Sequence, residues 1–88
     1  MTKQIIVVDD QVLMLKLLGY MLERSGFSVL KAKDTYTVLD MLESSIPDMV
    51  ITDVMMAEMD GIELCRRMRA RPETPQTPIV ILGSCPSF

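Results

Sequence analysis

Short apolar runs alternate with longer stretches of helical period along these 88 residues. Ile5 to Val8 is a continuous β-branched run, the pattern of a strand covered on both faces. Residues 11 to 25 read as a helix that is apolar nearly all round, stopped by Ser25-Gly26. Residues 27 to 32, FSVLKA, alternate as a half-exposed strand does. Asp34 or Thr35 then caps a helix whose apolar stripe is Val38, Leu39, Met41 and Leu42. Pro47-Asp48 turns the chain into a strand over 49 to 53. Gly61 precedes a third helix with Ile62, Cys65 and Met68 as its expected inward side. ARPETPQTP carries three prolines in nine residues and is a loop, and Pro78 opens a last strand, Ile79 to Leu82.

The order is βαβαβαβ, which predicts an α/β fold: a doubly wound parallel sheet with helices on both faces. If the strands lie in the order 2-1-3-4, right-handed crossovers put the first helix on one face and the next two on the other. The reversal of direction leaves a crevice between strands 1 and 3 at their C-terminal ends, the usual ligand site of such sheets. Strand 1 ends in Asp9-Asp10 and strand 3 in Asp53. One aspartate at a strand end is ordinarily a cap or turn residue. Three at adjacent strand ends point to a bound cation.

Composition narrows the classes of function. One domain is expected at this length, with about 60–65% of the unfolded surface hidden. Nine methionines against four aromatic residues describe a core of flexible aliphatic packing. The net charge of −3 argues against a nucleic-acid-binding surface, and the one dense basic run, Arg66 to Arg71, suits the exposed face and C-terminal end of a helix. Without histidine, His-based metal sites and His general bases are excluded. Cys65 and Cys85 lack CxxC spacing, which together with the absence of a spanning segment or signal peptide gives the expectation of a cytoplasmic protein without disulfides.

Clustered carboxylates repel, and a hard cation relieves them. Mg²⁺ favours oxygen ligands in octahedral geometry with several retained waters, so one or two carboxylates and a carbonyl suit it. Aspartate is also a phosphoryl acceptor, and phosphoryl transfer asks mainly for positioning and charge neutralisation. IIVVDD, PDMVITDVMMAEMDGIELCRRMR and TPIVIL together resemble the receiver domain of two-component response regulators, over essentially the whole chain. The resemblance implies a flavodoxin-like fold. It makes Asp53 the phosphoacceptor and Asp9 and Asp10 the acidic pocket. Asp10, Asp53 and the backbone carbonyl of Met55 are then the Mg²⁺ ligands, and Asp60-Gly61 the turn into the third helix. It also implies a sensor histidine kinase or phosphotransfer protein as partner, and a phosphoacceptor signalling domain rather than a true enzyme.

Three departures from the family pattern bear on function. Met56-Ala57 stands where Met-Pro is usual, which loosens a loop without removing chemistry. Gly83 occupies the place of the switch hydroxyl, with Ser84 one residue later, where a strand points to its other face. The family's fourth helix, fifth strand and fifth helix have no counterpart in residues 1–88, and none of Lys3, Lys16, Lys31 or Lys33 matches the fifth-strand lysine. Two readings follow. One is a receiver that takes a phosphoryl group on Asp53 with Mg²⁺. The other is a receiver fragment that no longer switches and acts as a binding or assembly module. An aspartate-nucleophile phosphohydrolase lacks a cap, and a nucleotide-binding fold lacks any GxGxxG or P-loop. With its last helix missing, the sheet is expected to form a homo-oligomer through an exposed face or through the fourth strand, whose open edge invites pairing.

Overall fold

The computed structural model describes residues 2–53 and 60–82. The elements are β1 (Gln4–Val8), α1 (Val12–Arg24), β2 (Ser28–Ala32), α2 (Thr35–Leu42), β3 (Met49–Asp53), α3 (Gly61–Ala70) and β4 (Ile79–Leu82). The four strands form one parallel sheet in the order β2-β1-β3-β4, with Ile6 opposite Leu30 and Val50, and Asp53 opposite Leu82. This is the doubly wound parallel sheet expected from the element order, in the flavodoxin-like strand order that the resemblance implies.

Period-2 alternation in β1 divides the core into two. Ile6 and Val8 face α2 and α3, where they pack with Ala32, Val38, Leu42, Val50, Leu64 and Met68. Ile5 and Val7 face α1, where Leu15 is buried with Leu18, Leu22, Phe27 and Ile51 around it. Burying an aliphatic side chain of this size contributes about 1.5–3 kcal/mol. A helix on each face is therefore what makes the β-branched run of β1 stable.

Helix ends follow local chemistry. Asp34, not Thr35, caps α2: its Oδ1 accepts the Thr37 N–H and the Thr37 hydroxyl, both at 2.7 Å. Asp60 caps α3, accepting the Glu63 N–H at 2.8 Å. α1 has no side-chain cap at Gln11 and ends where Gly26 takes φ 98°, a left-handed turn that a β-carbon disfavours. The Asp48 carboxylate accepts the Gln4 N–H at 2.7 Å, so the turn before β3 is tied to the start of β1. In the proline-rich loop, buried Thr74 donates its hydroxyl to the Met68 carbonyl at 2.9 Å.

The inward side of α3 differs from the expected one. Leu64 and Met68 are fully buried and Gly61 lies against the sheet, whereas Ile62 is 54% exposed and Cys65 half-buried. The helix enters with Gly61 on the sheet, so the buried row runs 61, 64, 68, and Ile62 is rotated outward. Arg66, Arg67 and Arg69 of the basic run are exposed as expected, and Arg71 is half-buried; Arg66 and Arg67 both pair with Glu63 at 3.2 Å, and Arg71 with Glu43 at 3.3 Å. Such pairs on a surface contribute little, about 0–1 kcal/mol each. Among the described residues no helix is long and apolar enough to cross a membrane.

Candidate functional site

β1, β3 and β4 end side by side, and the reversal of strand order opens a cavity of about 300 Å³ at those ends beneath α1. Met14, Leu18, Ile51 and Leu82 make its apolar wall, and Asp9, Gln11, Thr52 and Asp53 its polar one. Asp9 follows the last residue of β1 and is held from two sides. Its N–H donates to the Ala32 carbonyl at 3.1 Å, and its Oδ1 accepts the Gln11 N–H at 2.9 Å. Burial pushes the Asp9 carboxyl above the ordinary carboxylate value, the Gln11 N–H works against that, and the charges of Asp53 and Asp10 add to the rise.

Asp53 closes β3 half-buried on the same cavity wall, so the strand ends bring Asp9 and Asp53 together as the element order requires. Asp10 is exposed and does not line the cavity, although its charge is felt at Asp9. Among the described residues no three acidic or sulfur side chains form a metal cage by themselves. Asp9 and Asp53 are the carboxylates that line the cavity among the described residues. Met55, Met56, Ala57, Gly83 and Ser84 lie outside the described residues. None of the four lysines lines the cavity; Lys31 lies across the sheet edge with its stem over Gly19 of α1.

Two residues of the site were not anticipated from the sequence. Gln11 supplies the backbone N–H that holds the Asp9 carboxylate. Thr52, 1% exposed, donates its hydroxyl to the Asp53 carbonyl at 3.0 Å. The available signal was a hydroxyl at a buried position of an otherwise aliphatic strand, since buried polar groups are kept for a partner. Gly61 meets the same carbonyl from the side of α3, where a β-carbon would stand 2.7 Å from it.

Comparison with known proteins agrees with this architecture. The family model described as the response regulator receiver domain matches residues 5–85. The chain is 45% identical to the alkaline phosphatase synthesis transcriptional regulatory protein PhoP of Bacillus subtilis, over 78% of its length and 29% of that protein's. It is 43% identical to the phosphate regulon transcriptional regulatory protein PhoB of Rhizobium meliloti, over 93% of its length and 36% of that protein's. It thus spans about a third of these curated relatives. Among solved structures, the chemotaxis response regulator CheY4 of Vibrio cholerae superposes with a TM-score of 0.93 at 26% identity, covering 99% of this chain and 72% of that one. The signal receiver domain of a signal transduction histidine kinase from Syntrophus aciditrophicus superposes with a TM-score of 0.92 at 28% identity, covering 98% and 65%. With the sheet order, the strand-end aspartates and the family match in agreement, the chain belongs to the response regulator receiver domains of two-component signalling.

Proposed function

We propose that this receiver domain accepts a phosphoryl group on Asp53 from a sensor histidine kinase or a phosphotransfer protein. The observation that carries the reading is the placement of Asp9 and Asp53 on one cavity wall at adjacent strand ends, with Asp9 raised in pKa by burial and by its acidic neighbours. A carboxylate oxygen of Asp53 forms the bond to phosphorus as the phosphorus–nitrogen bond to the donor imidazole breaks, leaving an acyl phosphate and a free imidazole. Asp10, Asp53 and the Met55 carbonyl would hold Mg²⁺, and Asp9 completes the acidic pocket. Bound there, the ion supplies neutralisation of the negative charge on the phosphoryl oxygens. The Asp9 backbone is fixed by Ala32 and its side chain by Gln11, so the pocket is set before a donor arrives. Intact mass after incubation with acetyl phosphate and Mg²⁺ tests the reading. A gain of one phosphoryl group, lost in Asp53→Asn and, in Asp10→Ala, slowed and no longer stimulated by Mg²⁺, is expected. Phosphorylation that persists in Asp53→Asn overturns the acceptor assignment.

A second reading, a binding or assembly module that does not switch, is favoured by the lack of any lysine on the cavity among the described residues. A folded sample that gains no phosphoryl group selects it. Under either reading the domain pairs with a second copy of itself. β2 guards its edge with exposed Lys31, whereas β4, paired on one side among the described residues, offers only Ile79, Val80, Ile81 and Leu82. Val80, Ile81 and Leu82 are each about two-fifths exposed, and a bare aliphatic edge of that kind is a template for strand pairing. Action in the cytoplasm, with output through protein contacts and not through nucleic acid held by this segment, belongs to the same proposal.

A further inference from the structure

α1 is apolar on two opposite sides. One side holds Leu15 and Gly19 against β1 and β2. The other carries Leu13, Leu17 and Tyr20, which at spacings of four and three residues form one stripe, with Met21 beside it. Leu13 is four-fifths exposed, and Leu17, Tyr20 and Met21 are each more than half exposed. The same face of the sheet has room for a second helix. Register sets Val80 beside Ile51 and Leu82 beside Asp53, so both side chains stand on the α1 side, and each is about two-fifths exposed. Lying over β1 and β2, α1 leaves them open.

The open half and the outer stripe match in size. Two strands about 4.8 Å apart make a strip roughly 10 Å wide, the diameter of one helix. Leu13 and Leu17 are about 6 Å apart along the helix axis, and Val80 and Leu82 about 6.6 Å apart along the strand. A two-fold axis along the strands seats α1 of each copy on the open half of the other, with the two helices side by side between two sheets. We infer that two copies of this chain dock in this reciprocal way, Leu13 and Leu17 of one covering Leu82 and Val80 of the other. Each copy brings both surfaces, so the pair covers all four patches at once. Taking roughly 150–250 Å² for a large side chain fully covered, the exposed fractions of Leu13, Leu17, Tyr20, Met21, Val80 and Leu82 amount to about 500–800 Å² per copy. A standard interface takes about 800 Å² per partner, so the pair suffices for a dimer that dissociates on dilution. Leu82 also belongs to the apolar wall of the cavity at Asp9 and Asp53, with Met14, Leu18 and Ile51, and the second copy's helix completes that wall. The inference rests on the self-pairing reading and places the contact on the sheet face instead of the β4 edge.

Sedimentation equilibrium of the 88-residue chain over a range of concentrations tests this, with melting curves to show that each variant is folded. Wild type is expected to be a dimer that dissociates on dilution. Leu17→Lys puts a charge in the middle of the stripe. Because a two-fold pair loses the leucine twice, it should weaken the dimer about 100-fold. Ile81→Lys changes the other face of β4, where Ile81 stands beside Thr52, and should leave the dimer within about twofold of wild type. Should Ile81→Lys fail to fold, Leu13→Lys joins Leu17→Lys in deciding the matter, since pairing along the β4 edge is indifferent to both. A dimer that survives Leu17→Lys overturns the helix docking, and its loss in Ile81→Lys alone returns the contact to the β4 edge. A wild-type monomer throughout overturns the docking and the self-pairing reading together, and leaves the stripe to a different protein.

Discussion

Gly61 and Asp53 meet backbone to backbone: the first residue of α3 sits so close to the end of β3 that a β-carbon on Gly61 would stand 2.7 Å from the Asp53 carbonyl oxygen and 3.0 Å from the Thr52 Cγ2. The glycine after Asp60 therefore does more than ease a turn. It lets the third helix butt against the residue that carries the candidate acceptor.

Gly61→Ala should therefore destabilise the domain by about 1–3 kcal/mol, the usual cost of forcing an extra methyl into packed surroundings. The obstacle is backbone and cannot swing aside. Gly19→Ala is the contrasting case, because there the new methyl meets the Cε end of the Lys31 side chain. That chain is exposed and free to move, and alanine is favoured over glycine in a helix by roughly 1 kcal/mol, so a small gain is expected. Urea unfolding of the two variants, read side by side, checks the opposite signs.

Asp9 and Asp34 should pull the pH dependence of stability in opposite directions. Asp9 is raised above 3.8 chiefly by burial. Its contribution to stability is fully present below that value and lost as pH rises through its folded pKa. At neutral pH its buried charge is a cost. Asp9→Asn, which keeps an acceptor for Gln11, should raise the melting temperature at pH 7 without Mg²⁺ by a few degrees, roughly the effect of 1 kcal/mol in a domain this size. The gain should vanish near pH 3. Asp34 is lowered below 3.8 by the Thr37 N–H and hydroxyl, so its contribution is present above 3.8 and lost as pH falls through its folded value. Asp34→Ala should cost about 1 kcal/mol at pH 7 and progressively less in acid. Melting curves from pH 3 to 8 separate the two.

Leu64 and Ile62 test which side of α3 is buried. Leu64 is 0% exposed in the core between α3 and the sheet, so Leu64→Ala should cost about 2–5 kcal/mol. Ile62→Ala faces water and should cost no more than about 0.5 kcal/mol. Equal losses in chemical denaturation would mean that the helix is rotated from the orientation seen here.

Val80 belongs to the part of the sheet that α1 does not cover, since α1 packs with Ile5, Val7 and Val29 on the β1–β2 side. Val80→Lys places a charge on the open strand β4, the device by which sheet edges are kept apart. Light scattering across a range of concentrations should show a dimer in wild type and a shift toward monomer in Val80→Lys. A monodisperse wild-type monomer at high concentration would remove the self-pairing proposal.

Much of this architecture was legible in the chain itself. The β-branched run of Ile5 to Val8, the stop at Ser25-Gly26 and the prolines before Ile79 place the elements, and handedness of the crossovers then assigns helices to faces. α3 was less legible. Ile62, Cys65 and Met68 and the row Gly61, Leu64 and Met68 both satisfy helical spacing, and with charged residues between them periodicity does not choose. The close approach of Gly61 to Asp53 chooses, and that contact joins residues from different elements.

The same division runs through the candidate site. Sequence alone determined that aspartates stand at the ends of β1 and β3, because strand ends and turn residues are local properties of a few neighbouring positions. Only the tertiary structure decided that Asp9 is buried and Asp10 exposed, that the Gln11 N–H holds the Asp9 carboxylate, and that Thr52 and Gly61 clamp the Asp53 carbonyl. Burial depends on which elements pack over a residue, and a hydrogen bond on ångström-scale approach. Neither is carried by spacing along the chain.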